Sequence, residues 1–382
     1  MQIISIEPTP SPYSMKINVN EQLQDGEKFN YTLQDDLQDA PAYIQQLFQI
    51  NGVKGIYRVV DFIALERNPR VAWEDILPKV SEVLGSREEN NAISPTSFLN
   101  TDEAFGEVQV YLQLFRYIPM QVKVTDGNTE KRFGLPERFM NAVMEASTAS
   151  DNMLEERKWI EQNPRYGEIE TVGEEVVEEI TASYDEKRLH NLIQYAKTND
   201  ASFISSYHKK VTMEMLDHPN WKERYAALDR MEPSKADLPV LNKALADEKA
   251  SVRRLATAYL GMIENKEVLP YLYKALKDKA VNVRRTAGDC LSDLGFSEAI
   301  PAMIEALKDK SRLVRWRAAM FLYERGDETA IEALEDAVND PEFEVRMQAK
   351  MALARIKDGE EAKGSIWNQM TKAVKEKNLG RG

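Results

Sequence analysis

The stretches LKDKAVNVRRTAGDCLSDLG (276–295) and LKDKSRLVRWRAAMFLYERG (307–326) repeat one pattern at an interval of 31 residues. The interval continues on both sides of these stretches and keeps five residue types in register. A fixed period of this length is typical of a solenoid of stacked helical hairpins, whose usual product is a binding surface. The positions in register are Asp247, Asp278, Asp309 and Asp340; Val252, Val283, Val314 and Val345; Arg253, Arg284, Arg315 and Arg346; Ala256, Ala287, Ala318 and Ala349; and Leu260, Leu291, Leu322 and Leu353.

Each repeat is predicted to contain two helices joined by a polar turn. In the unit 238–268, Asp247 lies in the turn and Ser251 is expected to cap the second helix. The apolar residues of that second helix fall at helical spacing and form one continuous stripe. They are Val252, Leu255, Ala256, Tyr259, Leu260 and Ile263. One hairpin cannot bury both of its faces, so neighbouring units must stack.

The repeated Asp and Arg have a structural explanation. A carboxylate in one turn and a guanidinium on the second helix of a neighbouring unit can pair as a ladder, and we favour this role over catalysis. Cys290 shares its register with Tyr259 and Phe321 and is expected to lie in the core. Gly295 suits the position after the second helix, where positive φ is common.

These units resemble short HEAT-like repeats, the compact variety also found in phycobilin lyases. The resemblance covers residues 238–362 and implies an all-α solenoid. It does not imply one function, because HEAT arrays serve scaffolds, adaptors and a few enzymes.

The N-terminal segment carries a second resemblance. Its stretches EPTPSPYSMKI (7–17), LFQINGVKGIYRVVDFIAL (47–65) and WEDILPKV (73–80) resemble the N-terminal domain of Nfu/NifU-type iron–sulfur scaffold proteins. Those scaffolds hold their cluster on a separate Cys-x-x-Cys domain, and this chain contains one cysteine. The resemblance therefore implies the α+β fold and a docking role, without cluster assembly.

The whole chain is predicted to be multidomain. We expect an Nfu N-terminal-like α+β domain (1–85), a strand-rich α+β segment (86–150), an acidic helical connector (151–200), an all-α HEAT-like solenoid (201–362) and a basic C-terminal tail (363–382). This combination is similar to the conserved virulence factor C family, whose name reports a phenotype and supplies no mechanism.

Composition excludes several classes of function. The net charge of −13 disfavours binding to nucleic acid. A chain with one cysteine forms no internal disulfide and no cysteine-clustered metal site. No 18-residue apolar run and no leader-like N-terminus are present, so we expect a cytoplasmic protein without a membrane span. The sequence offers no catalytic motif, and we expect no cofactor, no metal and no catalytic residue.

The best candidate site comes from charge segregation. Residues 240–320 hold fifteen Lys or Arg against ten Asp or Glu, whereas residues 151–180 hold ten Asp or Glu against three Lys or Arg. We expect an exposed basic and aromatic face on the second helices, a composition typical of binding hot spots. Its candidate partner-binding residues are Arg254, Arg285, Arg312, Trp316 and Tyr323. The alternative is a basic face that pairs with the chain's own segment 151–180.

Three functions remain open on the sequence. The first is a non-catalytic scaffold or adaptor whose array binds a protein partner, expected to be acidic, with the Nfu-like domain as a second docking module. The second is an accessory factor in iron–sulfur metabolism that lacks its own Cys-x-x-Cys site. The third is a lyase-like HEAT enzyme.

Overall fold

The computed structural model describes residues 1–359 except 10, 12, 25–26, 69–70, 86–106, 128 and 206–207. The expected tail 363–382 and the first part of the expected strand-rich segment, residues 86–106, lie outside the described residues. The chain divides into two compact units. The first combines residues 1–105 with residues 322–382, and the second comprises residues 106–321.

The N-terminal part of the first unit is an antiparallel sheet with two helices on one face. The strands are β1 (Ile3–Pro8), β2 (Ser14–Val19), β3 (Lys28–Thr32), β4 (Val53–Val59) and β5 (Phe62–Arg67), in the order β1-β2-β5-β4-β3. The helices are α1 (Ala42–Phe48) and α2 (Trp73–Leu84). Alternate residues of the central strands, such as Ile17 and Ile63, are fully buried against Leu47 and Ile76. The predicted α+β domain is confirmed.

The first unit also contains the last repeat, α15 (Ile331–Ala337) and α16 (Phe343–Asp358). From α16, Phe343 and Met347 pack against the apolar core of the N-terminal sheet. Beside them the buried guanidinium of Arg67 lies 2.8 Å from a carboxylate oxygen of Glu344 and donates a second hydrogen bond to the Val71 carbonyl. The last repeat and the N-terminal domain therefore share one core and one buried ion pair.

The second unit begins with a four-stranded antiparallel sheet. Its strands are β6 (Glu107–Phe115), β7 (Ile118–Thr125), β8 (Glu130–Gly134) and β9 (Arg157–Tyr166), in the order β8-β7-β6-β9. Four helices accompany it: α3 (Glu137–Ser147), α4 (Met153–Glu156), α5 (Ile169–Ser183) and α6 (Glu186–Thr198). Helix α5 approaches the sheet closely at Gly173, where an added Cβ would lie 2.2 Å from the ring of Phe133.

Strand β9 corrects the prediction of an entirely helical connector over 151–200. It pairs with β6 from Glu107↔Tyr166 to Phe115↔Arg157. The charged composition of this segment gives no strand signal, and the edge of the sheet supplies the backbone partners that decide its conformation. Helices α5 and α6 occupy the rest of the segment as predicted.

The rest of the second unit is helical. After the short α7 (Ser202–Ser205) come α8 (Trp221–Asp229), α9 (Leu238–Ala244), α10 (Ala250–Met262), α11 (Leu269–Ala275), α12 (Val281–Leu294), α13 (Ile300–Ala306) and α14 (Arg312–Arg325), whose last residues belong to the first unit. The predicted stripe is confirmed, since Val252, Ala256 and Leu260 are fully buried.

Two local details refine the repeat. Ser251 was expected to cap α10, but Lys249 occupies that position, and the Asp247 carboxylate accepts the Lys249 backbone N–H at 2.8 Å. The repeated Asp thus orders the turn in place of a serine cap. Gly295 ends α12 at a φ of 61°, as predicted.

The buried Glu344 makes a pH-dependent prediction. Burial raises the pKa of Glu344 to about 7, although the positive charge of Arg67 acts to lower it. Between the ordinary value of 4.5 and about 7, the folded state holds a proton that the unfolded state has lost. The stabilisation that results from this bound proton is therefore fully present below the unfolded-state pKa of Glu344, and it is lost as the pH rises through the folded-state pKa.

We expect Glu344→Gln, which keeps an acceptor oxygen and cannot titrate, to remove that fall in stability. The measurement is the thermal midpoint of both proteins at intervals from pH 4.5 to 8. Parallel curves for the two proteins across this range would contradict the assignment.

Candidate functional site

The arginine ladder sets the geometry of the array. Arg224 bonds Asp247, Arg253 bonds Asp278 and Arg284 bonds Asp309, with Nε···Oδ2 distances of 2.6, 2.7 and 2.7 Å. In each case a second guanidinium nitrogen also donates to two backbone carbonyls in the turn before its own helix. The predicted structural pairing between neighbouring units is confirmed for Arg253 with Asp278 and Arg284 with Asp309, and the Arg224 pair adds a third rung. These arginines hold successive second helices in register.

Arg254, which follows the ladder arginine Arg253, makes a different contact. Arg254 was expected on an exposed face, but its guanidinium binds Glu179 of α5, with Nη2···Oε2 at 3.0 Å. Glu179 is only 4% exposed and also accepts a hydrogen bond from Arg165 of β9 at 2.7 Å. Burial opposes ionisation of this carboxyl, but Arg254 and Arg165 together hold its pKa below the ordinary value.

A second basic side chain supports the same contact. Lys249 donates to Glu178 at 2.8 Å, and its ammonium lies 4.4 Å from the centre of the Trp221 ring. Helix α5 supplies both Glu178 and Glu179. At these positions the array pairs with the chain's own acidic segment, which was the alternative left open by the sequence.

Arg285 lies in a buried polar cluster with the ends of β6 and β9. It is 3% exposed and donates to the Tyr166 hydroxyl, to the Leu313 carbonyl and to Asp289, each at 3.1 Å. The Tyr166 hydroxyl in turn donates to Glu107 at 3.3 Å. Burial raises the pKa of Glu107, and Arg285 and Tyr166 oppose that rise. The same burial keeps the Tyr166 hydroxyl protonated by raising its pKa.

Trp316 was predicted to be exposed and is fully buried. The guanidinium carbons of Arg285 and Arg317 lie 5.2 and 5.3 Å from the centre of its ring. Arg317 also forms an ion pair with Asp289 at 2.7 Å. Because guanidinium groups stack on aromatic faces, this tryptophan is covered by cations instead of facing solvent.

The predicted exposed face is therefore wrong at Arg254, Arg285 and Trp316. Arg254 and Arg285 contact Glu179 of α5 and Tyr166 of β9, and Trp316 is covered by arginines of the array. Arg312 and Tyr323 are half-buried, and Tyr323 belongs to the first unit. The acidic and phenolic residues that complete the contact are Glu107, Tyr166 and Glu179. Sequence reasoning did not identify them, although the charge excess of residues 151–180 was the available signal.

A different basic surface follows the turns of the array. Lys277 and Lys279 flank the ladder residue Asp278, and Lys308 and Lys310 flank Asp309 in the next unit. All four lysines are exposed. Since the turns repeat every 31 residues, these cations lie on successive turns at one edge of the array.

The single cysteine is a core residue, as predicted. Cys290 is 8% exposed, and burial raises its pKa to about 12, so it stays a thiol. Among the residues that the structure describes, no three His, Cys, Asp or Glu side chains are grouped to hold a metal ion. In the same part of the chain, no helix is long and apolar enough to span a membrane.

Three family models match the chain. Residues 4–91 match the N-terminal domain of the Nfu/NifU scaffold proteins, residues 113–193 match a model described as a virulence factor, and residues 210–287 and 269–354 match HEAT repeats. A Staphylococcus saprophyticus protein named conserved virulence factor C is 43% identical over 70% of this chain and 71% of its own length. The chain belongs to the conserved virulence factor C family.

Other proteins are also similar to this chain. YpgR from Bacillus subtilis is 54% identical over 98% of this chain and 99% of its own length. Two solved structures are similar over parts of the chain. SAV1430 from Staphylococcus aureus is 41% identical over 22% of this chain and 98% of its own, with a TM-score of 0.20. The phycocyanin lyase complex of CpcE and CpcF from Nostoc is 22% identical over 40% and 68%, with a TM-score of 0.31.

The ladder makes a prediction about stability in this family member. Asp278→Ala leaves the buried guanidinium of Arg253 without its carboxylate, and breaking such a pair costs about 3 kcal/mol. Burial disfavours the charged form of Asp278, yet hydrogen bonds from Arg253 and the Ala280 N–H lower its pKa. Its contribution is therefore present above the unfolded-state pKa and is lost as the pH falls through the folded-state pKa.

We expect urea unfolding at pH 7 to show this loss for Asp278→Ala and little change for Glu305→Ala, an exposed carboxylate on α13. Equal stabilities of the two variants would show that the pair of Arg253 and Asp278 does not stabilise the array.

Proposed function

We propose that this protein is a non-catalytic scaffold that binds an acidic protein partner through its HEAT-like array, with the Nfu-like domain as a second docking module. One observation carries the proposal: the array already holds an acidic helix. Glu178 and Glu179 of α5 are bound by Lys249 and Arg254 of the array. Pairing of array cations with carboxylates on a helix is thus a recognition mode that this array uses within its own chain.

The turn lysines offer the same chemistry to a partner. Lys277, Lys279, Lys308 and Lys310 are exposed, whereas the ladder and the Arg254 and Arg285 contacts are internal. A row of like charges on successive turns steers an oppositely charged surface and sets the register of binding. Because these charges are exposed, their contribution is expected to weaken as salt increases.

The Nfu-like domain supports the second docking role through its rigid edge. Strand β1 forms one edge of the sheet, and its Ile4 is 67% exposed. Behind this edge, Asn18 donates to Ser5 and to Glu7 at 2.7 Å, and Lys16 lies 3.6 Å from Glu7. An edge strand held by side-chain bonds to its neighbour is pre-organised for contact with a partner backbone.

A second candidate is the accessory role in iron–sulfur metabolism, which the Nfu/NifU match over residues 4–91 favours. Such a role would require oxygen and nitrogen ligands or a site across a dimer, because the lone Cys290 is held as a buried thiol. Iron analysis after anaerobic purification separates the candidates. The scaffold predicts no stoichiometric iron, and one iron per chain would favour the second role.

The scaffold proposal is tested by reversing the turn charges. Full-length protein carrying Lys277→Glu, Lys279→Glu, Lys308→Glu and Lys310→Glu serves as bait beside the wild type in lysate of the source cell. We expect an acidic protein captured in stoichiometric amount by the wild type and reduced at least tenfold with the variant. Capture by the wild type is expected to decline as salt is raised from 0.05 to 0.5 M.

The matched control also replaces four exposed lysines with glutamate, Lys158, Lys187, Lys209 and Lys210, which lie outside these turns. This control is expected to capture the partner as the wild type does. Equal capture by all three proteins would show that the turn lysines do not bind the partner. Equal loss in both variants would show that the turn lysines act only through the net charge of the protein.

A further inference from the structure

A groove of about 700 Å³ lies between the edge strand β8 and helix α5 in the second unit. The strand contributes one wall and the helix contributes the other. Phe133 and Val177 provide apolar surface, and carboxylates line the helix side. The lining residues are Arg132, Phe133, Gly134, Thr171, Glu174, Glu175, Val177 and Glu178.

Strand β8 is the first observation that points to an occupant. It ends the sheet order β8-β7-β6-β9, so within the described residues it pairs with β7 alone. Its other edge carries backbone donors and acceptors that an added strand could use. The last residue of the strand is also open on one face, because a Cβ added at Gly134 would meet no atom within 4 Å.

The charge of the groove is the second observation. Glu178 is bonded to Lys249, and Arg132 is bonded to Glu130. In the part of the chain that the structure describes, Glu174 and Glu175 have no hydrogen-bond or ion-pair partner, so they leave the groove with unpaired negative charge. An occupant with positive charge complements it.

Glu175 shows why a cation would be stabilised there. Its side chain is half-buried, and this desolvation is the main cause that raises its pKa. Glu179 adds to the rise, whereas the positive charges of Arg165, Arg254 and Lys249 oppose it. A guanidinium or ammonium group brought into the groove would supply the opposite charge that a partly desolvated carboxylate lacks.

We propose that this groove binds an extended, basic segment of a partner protein, which adds to β8 as a fifth strand. Side chains alternate in a strand, so every second residue of the segment faces α5 and places its Lys or Arg at Glu174 and Glu175. The proposal rests on the scaffold function and adds a second partner chemistry to it, because this groove selects cations and the turn lysines select anions.

The test uses full-length protein and a fluorescein-labelled octapeptide of alternating lysine and valine. Two control peptides accompany it: one has glutamate in place of lysine, and the other keeps the lysines but carries N-methyl groups on alternate amides. The second control keeps the charge and loses the backbone donors that strand addition requires. Binding is followed by fluorescence anisotropy in 0.15 M salt.

We expect the basic peptide to bind at least tenfold more tightly than either control peptide. Glu174→Gln combined with Glu175→Gln is expected to weaken that binding at least tenfold, whereas Glu137→Gln with Glu305→Gln, two exposed carboxylates elsewhere, leaves it unchanged. Hydrogen exchange of bound wild type is expected to show slowed amides in residues 130–134.

Equal binding of the N-methylated peptide, or bound peptide without slowed exchange in β8, would overturn strand addition. A wild-type dimer that the groove double variant converts to monomer would assign the groove to a second copy and overturn a partner segment. The variant with reversed turn lysines is expected to bind the peptide at least as well as wild type. A failed capture experiment with intact peptide binding would therefore reject the turn lysines and leave the groove in place.

Discussion

The structure of the second unit depends on one buried carboxylate, Glu179. It belongs to α5, and its two cationic partners come from β9 and from the array, at Arg165 and Arg254. A carboxylate removed from water needs such partners, because an unpaired buried charge costs several kcal/mol. The pairing therefore explains why an acidic helix lies against the second helices, and why Arg254 is unavailable to an outside partner.

Other buried ion pairs join different elements of the fold. The ladder arginines join neighbouring repeats, and Arg67 joins the last repeat to the N-terminal sheet through Glu344. Buried pairs of this kind fix geometry and add little net stability. At the surface, exposed lysines lie on the turns, and Glu174 and Glu175 lie beside β8. These two surfaces carry opposite charge, which supports the scaffold function that we propose.

The sequence predicted the repeat well, since periodicity reports which side chains face each other inside a stack. The stripe containing Val252, the ladder and the core position of Cys290 followed from that register alone. It did not predict that Trp316 is buried, because a helix period shows which face enters the repeat core and gives no information on what covers the opposite face. Strand β9 was not predicted for a related reason, because its conformation depends on pairing with β6, which is distant in sequence.

The central claim, that the basic face of the array is occupied within the chain, is tested most directly by a double-mutant cycle on Arg254 and Glu179. Arg254→Met, Glu179→Gln and the combined variant are compared with wild type by urea unfolding at pH 7. We expect a coupling energy of about 2 kcal/mol, since the two groups touch and are mostly buried. Effects that add to within about 0.5 kcal/mol would show that the two residues act independently and would contradict the account.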